Sequence, residues 1–595
     1  MDQTLPPELI AKIENARCMS SRPLTERFAT PATVAETLHG HAARQPDAPY
    51  LTYLAEDGAI RSYTYAQFYS RIKRLAAMLQ TFAGIERGDR IATAMHNHDD
   101  SIALCFAAWH LGACVVPLNM SEEDKRLEYV LEHSGVKAVF VLKDYAERVR
   151  KLLNPSPPAP LPQGERGARI QFLFHVDGTP AKGGAVEEVA LNSVVPPVDV
   201  PQFDKPEGVS PEDEALIVYT SGTTGVPKGV VLSQYALVAD AHAITQWHGL
   251  SSKTRMMCVL PVHHVNGLEV THVTPMFCGG SVVLNRKFSA SGFFDTINKY
   301  QIEVCSVVPT LLQFLLDAHA KNSSAPACPT LRYLICGAGP LTVDLAARFE
   351  DRFGIPICHG YGLSESTCYS CFVPPPPRDA AARTAWDKEH RGWMRDHGYP
   401  SIGVPVETNE MAIHDDDGKE LGEGIKGEIV IRGHNIMLGY YSNLKANENA
   451  FTHGWFRSGD EGFFKYGPPL TPGGERAKYF FISGRFKELI IRGGVKISPL
   501  EVDEVLNRIP GVKAAMAVGF DNTTYGEEVG AYVVKLPDAK ITEDDVLKAA
   551  KGMLPAWMAP KVVVFGDTFP VTSTGKYQRN QLKPLFAKWK DQQFR

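Results

Sequence analysis

What most limits how this chain can fold is a set of uniformly apolar segments between residues 90 and 142. Arg90–Ala94, Ala113–Leu118 and Val136–Leu142 read as short strands, and the last shows no polar alternation. A strand with one wet face alternates; a strand that is apolar throughout is covered on both faces. Helical patterns fill the gaps. Ser101–Leu111 is apolar enough for a buried helix, and Asp124–His133 opens behind Ser121-Glu-Glu-Asp124, a capping-box sequence. This rhythm predicts an α/β fold whose large N-terminal domain has parallel-type sheets with helical crossovers.

At roughly 150 residues per domain, 595 residues allow about four structural units. After Gly484 the pattern changes: short strands such as Ala514–Val518 and Ala531–Val534 alternate with the helices Leu500–Arg508 and Glu543–Met553. Residues 1–483 are therefore expected to form the large domain, of several subdomains, and residues 484–595 a small α+β domain. Three segments read as exposed insertions: the proline-rich Asn154–Arg169, Pro374–Arg378 and Tyr466–Arg476. No repeat at solenoid periods occurs.

A net charge of -5, from 62 basic and 67 acidic residues, carries no basic field of the kind nucleic acid attracts. The 11 cysteines are odd in number and scattered, which indicates reduced thiols and a cytoplasmic protein. Cys368 and Cys371 form one CxxC with no second pair, a weak metal signal. The N-terminus lacks a basic start followed by an apolar run, so no signal peptide is expected. The most apolar stretch, Ile102–Leu118, is interrupted by His110, Gly112 and Pro117 and falls short of a membrane span.

Chemistry first becomes visible at Thr220. The apolar strand Ile217–Thr220 runs into Ser221-Gly222-Thr223-Thr224-Gly225-Val-Pro-Lys228-Gly229, and a second strand, Val230–Leu232, follows. Glycines let backbone N–H groups close on an anion, hydroxyls donate to phosphate oxygens, and a lysine adds a mobile charge. The spacing is not that of a Walker A loop, because Lys228 precedes Gly229 and no helix pattern follows directly.

TSGTTGVPKG resembles the signature of the acyl-adenylate-forming superfamily, which contains acyl-CoA synthetases, adenylation domains and firefly luciferase. Five further segments resemble the family's motifs in order. They are Pro261-Val-His-His264, Cys336-Gly337-Ala338-Gly-Pro, Gly360-Tyr361-Gly362-Leu-Ser364-Glu365, Gly454-Trp-Phe-Arg-Ser-Gly-Asp460, and Gly484-Arg485-Phe-Lys487 through Gly493-Gly494. A sixth, Pro570-Val-Thr-Ser-Thr-Gly-Lys576, lies near the C-terminus. Ser364, Phe456 and Ser458 stand where the family more commonly has Thr, Tyr and Thr.

The resemblance implies a role for each position. The hydroxyl loop and Lys228 would hold the outer phosphates of ATP. Gly337 and Ala338 would line the adenine and acyl pockets, with Tyr361 stacked on adenine and Gly362 and Ser364 beside it. Glu365 would hold Mg²⁺, and Asp460 and Arg485 the ribose. His264 would border the carboxylate, and Lys576 would bridge carboxylate and α-phosphate. Lys487 would be the pivot of a mobile small domain, and Gly493 and Gly494 would let pantetheine pass.

The implied activity is ATP-dependent activation of a small-molecule carboxylic acid to an acyl-adenylate, with pyrophosphate release, and transfer to the thiol of coenzyme A. An acyl or peptidyl carrier protein as acceptor is the alternative; a catalytically inactive nucleotide-binding protein is opposed by the presence of Lys576, Glu365 and Asp460. Amino-acid-activating members use an Asp where this chain has Asn266, so a fatty or aryl acid is favoured. Gly360 is expected to leave room in the acyl channel. Membrane contact would be peripheral at most. The oligomeric state stays open, as does the role of Arg378–Tyr399, a cover for the acyl entrance or a partner surface.

Overall fold

The computed structural model describes residues 5–153, 170–181, 186–220, 226–321, 324–395, 400–471, 473–572 and 575–594. The segment Asn154–Arg169 and the loop Ser221–Gly225 lie outside them.

The apolar segments form the centre of an eight-stranded sheet. Arg90–Ala94 lies between Cys114–Pro117 and Ala138–Val141, parallel to both, and the latter two are buried at all four positions. Glu214–Thr220 joins parallel to Cys114–Pro117, then turns back antiparallel into Lys228–Ser233. The crossover helix Asp99–His110 is buried at every position, as its composition predicts. Its Trp109 is fully enclosed, and the indole N–H donates to the Ala215 carbonyl at 2.6 Å.

A second sheet of thirteen strands is parallel from Pro49–Leu54 through Ser281–Asn285, Arg255–Cys258, Val304–Val307 and Tyr333–Cys336 to Ile357–Tyr361. Beyond that strand it continues antiparallel to Asn409–His414. One apolar core joins the two sheets through the helices Tyr65–Thr81, Asp99–His110 and Gln234–His248.

The small domain is a five-stranded sheet. Along Val512–Asn522, Ala515 and Ala517 face the helices Pro499–Leu506 and Glu543–Met553. Met516 and Val518 face Leu582 and Phe586 on the opposite side, the period of two expected of a strand. Gly484 and Arg485 end the strand Ala477–Arg485 of the large sheet, and the small sheet begins at Ile490–Arg492. Lys487 lies between them.

Two local expectations need correction. The helix Asp124–His133 forms, but Glu123 is its N-cap and makes no side-chain cap. The Ser121 hydroxyl donates to Asn119 Oδ1 at 2.7 Å, so the capping box is not made. Pro374 and Pro376 are buried rather than exposed; proline has no N–H to leave orphaned, so such a run enters a core at little polar cost. Residues 380–395 wind into short helices, Ala380–Trp386, Asp387–Arg391 and Gly392–Arg395. These seat Trp393 against Tyr479 and bind Arg391 to Glu350. The cysteines are all unpaired, and Cys368 and Cys371 are both buried.

Trp109→Ala removes a fully packed indole and its hydrogen bond. The expected loss is about 3–5 kcal/mol, read as an earlier first transition in urea.

Candidate active site

A cavity opens where the parallel strands of the large sheet end. Leu260 and Pro261 follow Arg255–Cys258, Val308 follows Val304–Val307, Ala338 follows Tyr333–Cys336, and Gly362 follows Ile357–Tyr361; all line it. Side chains at carboxyl ends of parallel strands converge on a shared crevice. Ala338 holds φ at +62°, a conformation costly for a residue with a Cβ. Gly337 lies behind it, where a Cβ would stand 2.6 Å from the Tyr369 hydroxyl.

Lys576 enters this cavity from the small domain and shares its lining with His264 and Ser364. The loop is fastened by the Thr310 hydroxyl, which donates to the Gly575 carbonyl at 2.8 Å. Water reaches part of the Lys576 side chain. Crowding by protein, and then Arg485, nonetheless push its amine down to about 8, against the pull of Glu365 and Asp460. Burial drives the His264 imidazole well down, helped by His263 and Lys576, so it is neutral, and its Nε2 has no partner among the described residues. A neutral ring at this place borders the substrate without adding charge.

Asp460 and Arg485 face each other across two antiparallel strands. The Tyr361 hydroxyl donates to Asp460 Oδ2 at 2.7 Å, and Arg485 Nε lies 3.2 Å from Oδ1. Burial pushes the Asp460 carboxyl up, opposed by Arg485 and Tyr361. A fixed carboxylate of this kind accepts a pair of vicinal hydroxyls, as a ribose presents.

Thr220 and Lys228 are directly opposed in their hairpin. Lys228 Nζ sits 4.6 Å from the centre of the Tyr440 ring, whose hydroxyl donates to Glu365 Oε1 at 2.8 Å. Burial and Lys487 lower the Lys228 amine, while Glu365 supports its charge. One tyrosine thus orients a cation by its face and a carboxylate by its edge. The second oxygen of Glu365 has no hydrogen-bond partner among the described residues. This hard oxygen fits Mg²⁺, which when bound neutralises charge on phosphate oxygens.

The structure therefore gathers Lys576, His264, Ala338, Gly362 and Ser364 at the cavity; Arg485, Glu365 and Asp460 act electrostatically on Lys576, and Lys487 and Glu365 on Lys228. It does not bring Gly493 and Gly494 to the cavity. They form the turn between Ile490–Arg492 and Val495–Ile497, with φ of 55° and 85°. Nor does Gly360 open the channel: a Cβ there would stand 2.4 Å from Phe372, so this glycine serves close ring packing. Asn266 lines the cavity, donating to the Tyr369 hydroxyl at 3.2 Å and accepting from Ser306 at 2.6 Å. Thr310, Tyr369 and Tyr440 escaped the sequence reading, for none stands in a segment whose composition marks it.

A family model described as AMP-binding enzyme matches residues 38–441, and a second, AMP-binding enzyme C-terminal domain, matches 501–576. The chain belongs to the AMP-binding enzyme family. It is 33% identical to a sulfoacetate–CoA ligase of Cupriavidus necator over 92% of this chain and 97% of that one. It is 32% identical to an oxalate–CoA ligase of Arabidopsis thaliana over 87% and 92%. ATP-bound MatB from Rhodopseudomonas palustris shares the fold of this AMP-binding enzyme, with a TM-score of 0.77 at 24% identity, over 93% of this chain and 99% of that one. Among the described residues no helix is long and apolar enough to cross a membrane.

Two outcomes test the site. Lys576 acts as a cation, so kcat/KM for adenylate formation should fall as pH rises through about 8; a limb near the ordinary lysine value, about 10.4, would deny its crowded setting. Tyr440→Phe should raise the magnesium concentration needed for half-maximal rate several-fold while leaving thermal stability nearly unchanged.

Proposed function

We propose that this AMP-binding enzyme condenses a compact, largely apolar carboxylic acid with ATP, releases pyrophosphate, and passes the acyl group from AMP to the thiol of coenzyme A. The observation that carries the reading is Lys576, delivered by the small domain into the same cavity as His264.

A carboxylate approaching the α-phosphate meets like charge, and the transition state gathers more on the phosphate oxygens. Lys576 supplies a positioned cation between them, and Lys228 neutralises the departing pyrophosphate. A preorganised donor of this kind is typically worth roughly 10²–10³ in rate. Asp460, steadied by Tyr361 and Arg485, holds the ribose, so the α-phosphate arrives at a fixed distance from the lysine. His264, neutral, closes the cavity against the reacting carboxylate.

The far wall supports a compact acid. Tyr369 lines the cavity, its hydroxyl bonded by Asn266 and its ring 4.4 Å from that of Phe372. Leu260, Val265, Val308 and Leu363 make the sides apolar. Lys576 is the one cationic side chain among the described lining residues, and it is engaged at the carboxylate. A second acidic group on the substrate would find no partner, and a long chain would meet Tyr369. Short aliphatic acids and small aryl acids fit. The CoA acceptor follows the names of the sulfoacetate and oxalate ligases to which the chain is similar.

Thiol attack on the same carbonyl needs Lys576 withdrawn. The stretch through Lys487, between the last large-sheet strand and the first small-sheet strand, is where such a rotation turns, and it would bring Gly493 and Gly494 toward the cleft.

An acid-dependent pyrophosphate exchange screen across short aliphatic, aromatic and long-chain acids should select the first two groups. Lys576→Ala should lower adenylate formation at least about 10²-fold and spare thioester formation from supplied acyl-adenylate; Lys487→Pro should do the reverse. Equal loss of both half-reactions in both variants would refute the two-posture scheme.

A further inference from the structure

The small domain reaches the large one through few polar contacts, and one of them joins a buried carboxylate to a helix start. Val343 opens the helix Val343–Phe353, whose N-cap Thr342 serves the Leu345 N–H. The Val343 N–H is one of the orphan donors every helix start carries. It donates to Glu504 Oε1 at 2.7 Å, and Glu504 belongs to the small-domain helix Pro499–Leu506. Glu504 is only 3% exposed. The Lys513–Asp317 ion pair across the same boundary, at 2.9 Å, is 29% and 41% exposed. Thr310 bonds the Gly575 carbonyl, a neutral contact.

We propose that Glu504 is the latch of the adenylate-forming posture: by accepting the first N–H of the helix Val343–Phe353, it seats the small domain with Lys576 in the cleft. It is a positioning residue and acts through Lys576, so the inference rests on the two-posture reading above. An exposed ion pair is screened and weak. A buried bond at the start of an eleven-residue helix is shielded from water, and its loss leaves the N–H orphaned.

The latch is also reversible by design of its surroundings. Asp344 faces Glu504 from the large-domain helix, Asp503 flanks it on its own helix, and Arg508 lies just beyond that helix's end. Arg348 is bound to Asp344, and Arg579 to Asp503. Burial, with Asp503 and Asp344 adding to it, pushes the Glu504 carboxyl up to about 7, against the Val343 N–H and Arg508. A carboxyl raised on docking takes up a proton on docking. The docked posture is therefore fully favoured below the ordinary glutamate value and weakens as pH rises through about 7.

The test uses the full-length enzyme, ATP and the acid that the exchange screen selects. A lost hydrogen bond that leaves a buried donor orphaned corresponds to about 10–100-fold in a docking equilibrium. Glu504→Ala should lower pyrophosphate exchange by that factor, leave thioester formation from supplied acyl-adenylate and CoA unchanged, and speed deuterium exchange at the Val343 amide. Glu504→Gln keeps an acceptor and should restore exchange to within about threefold, with a flatter pH profile between 6 and 8. Equal loss of both half-reactions in Glu504→Ala, or no loss in either, overturns the latch. Lys576→Ala run alongside separates the two levels: if that control loses both half-reactions, the two-posture reading falls and the latch with it. If it loses only adenylate formation while Glu504→Ala is unaffected, the latch alone falls.

Discussion

The proposed catalytic arrangement depends on moving one ammonium group into a place where charge is costly. Lys576 is set among Arg485, Glu365 and Asp460, and the crowding that strengthens its attraction to an incoming phosphate also penalises its charge before the phosphate arrives. Two unit charges about 4 Å apart interact by roughly 1 kcal/mol in water and by about 4 kcal/mol near a protein surface. The cleft gains from that difference only while water is kept out. The walls that exclude it, Leu260, Val308, Leu363 and Tyr369, matter to the chemistry as much as the charged groups do.

Those walls are held by the sheets. Because the parallel strands are covered on both faces, their sequences are apolar throughout, and this made them readable: Arg90–Ala94 matches its expected bounds, and the strands at 114–117 and 138–141 lie inside theirs. Helix length was also legible at Asp124–His133 and Glu543–Met553, where apolar periodicity runs the whole element. Local polar choices were not. Ser121 had a capping sequence behind it, but Asn119, two residues earlier, claimed its hydroxyl. Such competition among neighbours of similar chemistry is decided by backbone direction, which residue type does not encode.

The site divides along the same line. Of the glycine- and hydroxyl-rich segments, the turns at 337–338 and 362–364 reach the cavity through Ala338, Gly362 and Ser364, whereas Gly493 and Gly494 do not. Tyr440, Thr310 and Glu504 act on partners 75, 265 and 161 positions away. A tyrosine whose face meets Lys228 and whose hydroxyl meets Glu365 looks, in sequence, like any strand tyrosine. Gly360 failed in the opposite sense: a glycine was read as open space, whereas Phe372 and Tyr369 fill the position its missing side chain leaves. Glycine permits close approach, and what approaches is a tertiary fact.

The domain boundary shows why a two-step enzyme keeps its closed posture weak. If the small domain docked through a large apolar face, withdrawal of Lys576 would expose that face on every turnover, at about 25 cal/mol for each Å². The direct hydrogen bonds and ion pairs seen instead are polar and small, and water can replace each of them. The apolar residues of the small domain point into its own two cores on either side of its sheet. Its stability is therefore separate from its docking. A body that is internally rigid but loosely seated could turn about Lys487 without unfolding, as the proposed scheme requires, with the buried Glu504 carboxylate as the proposed latch.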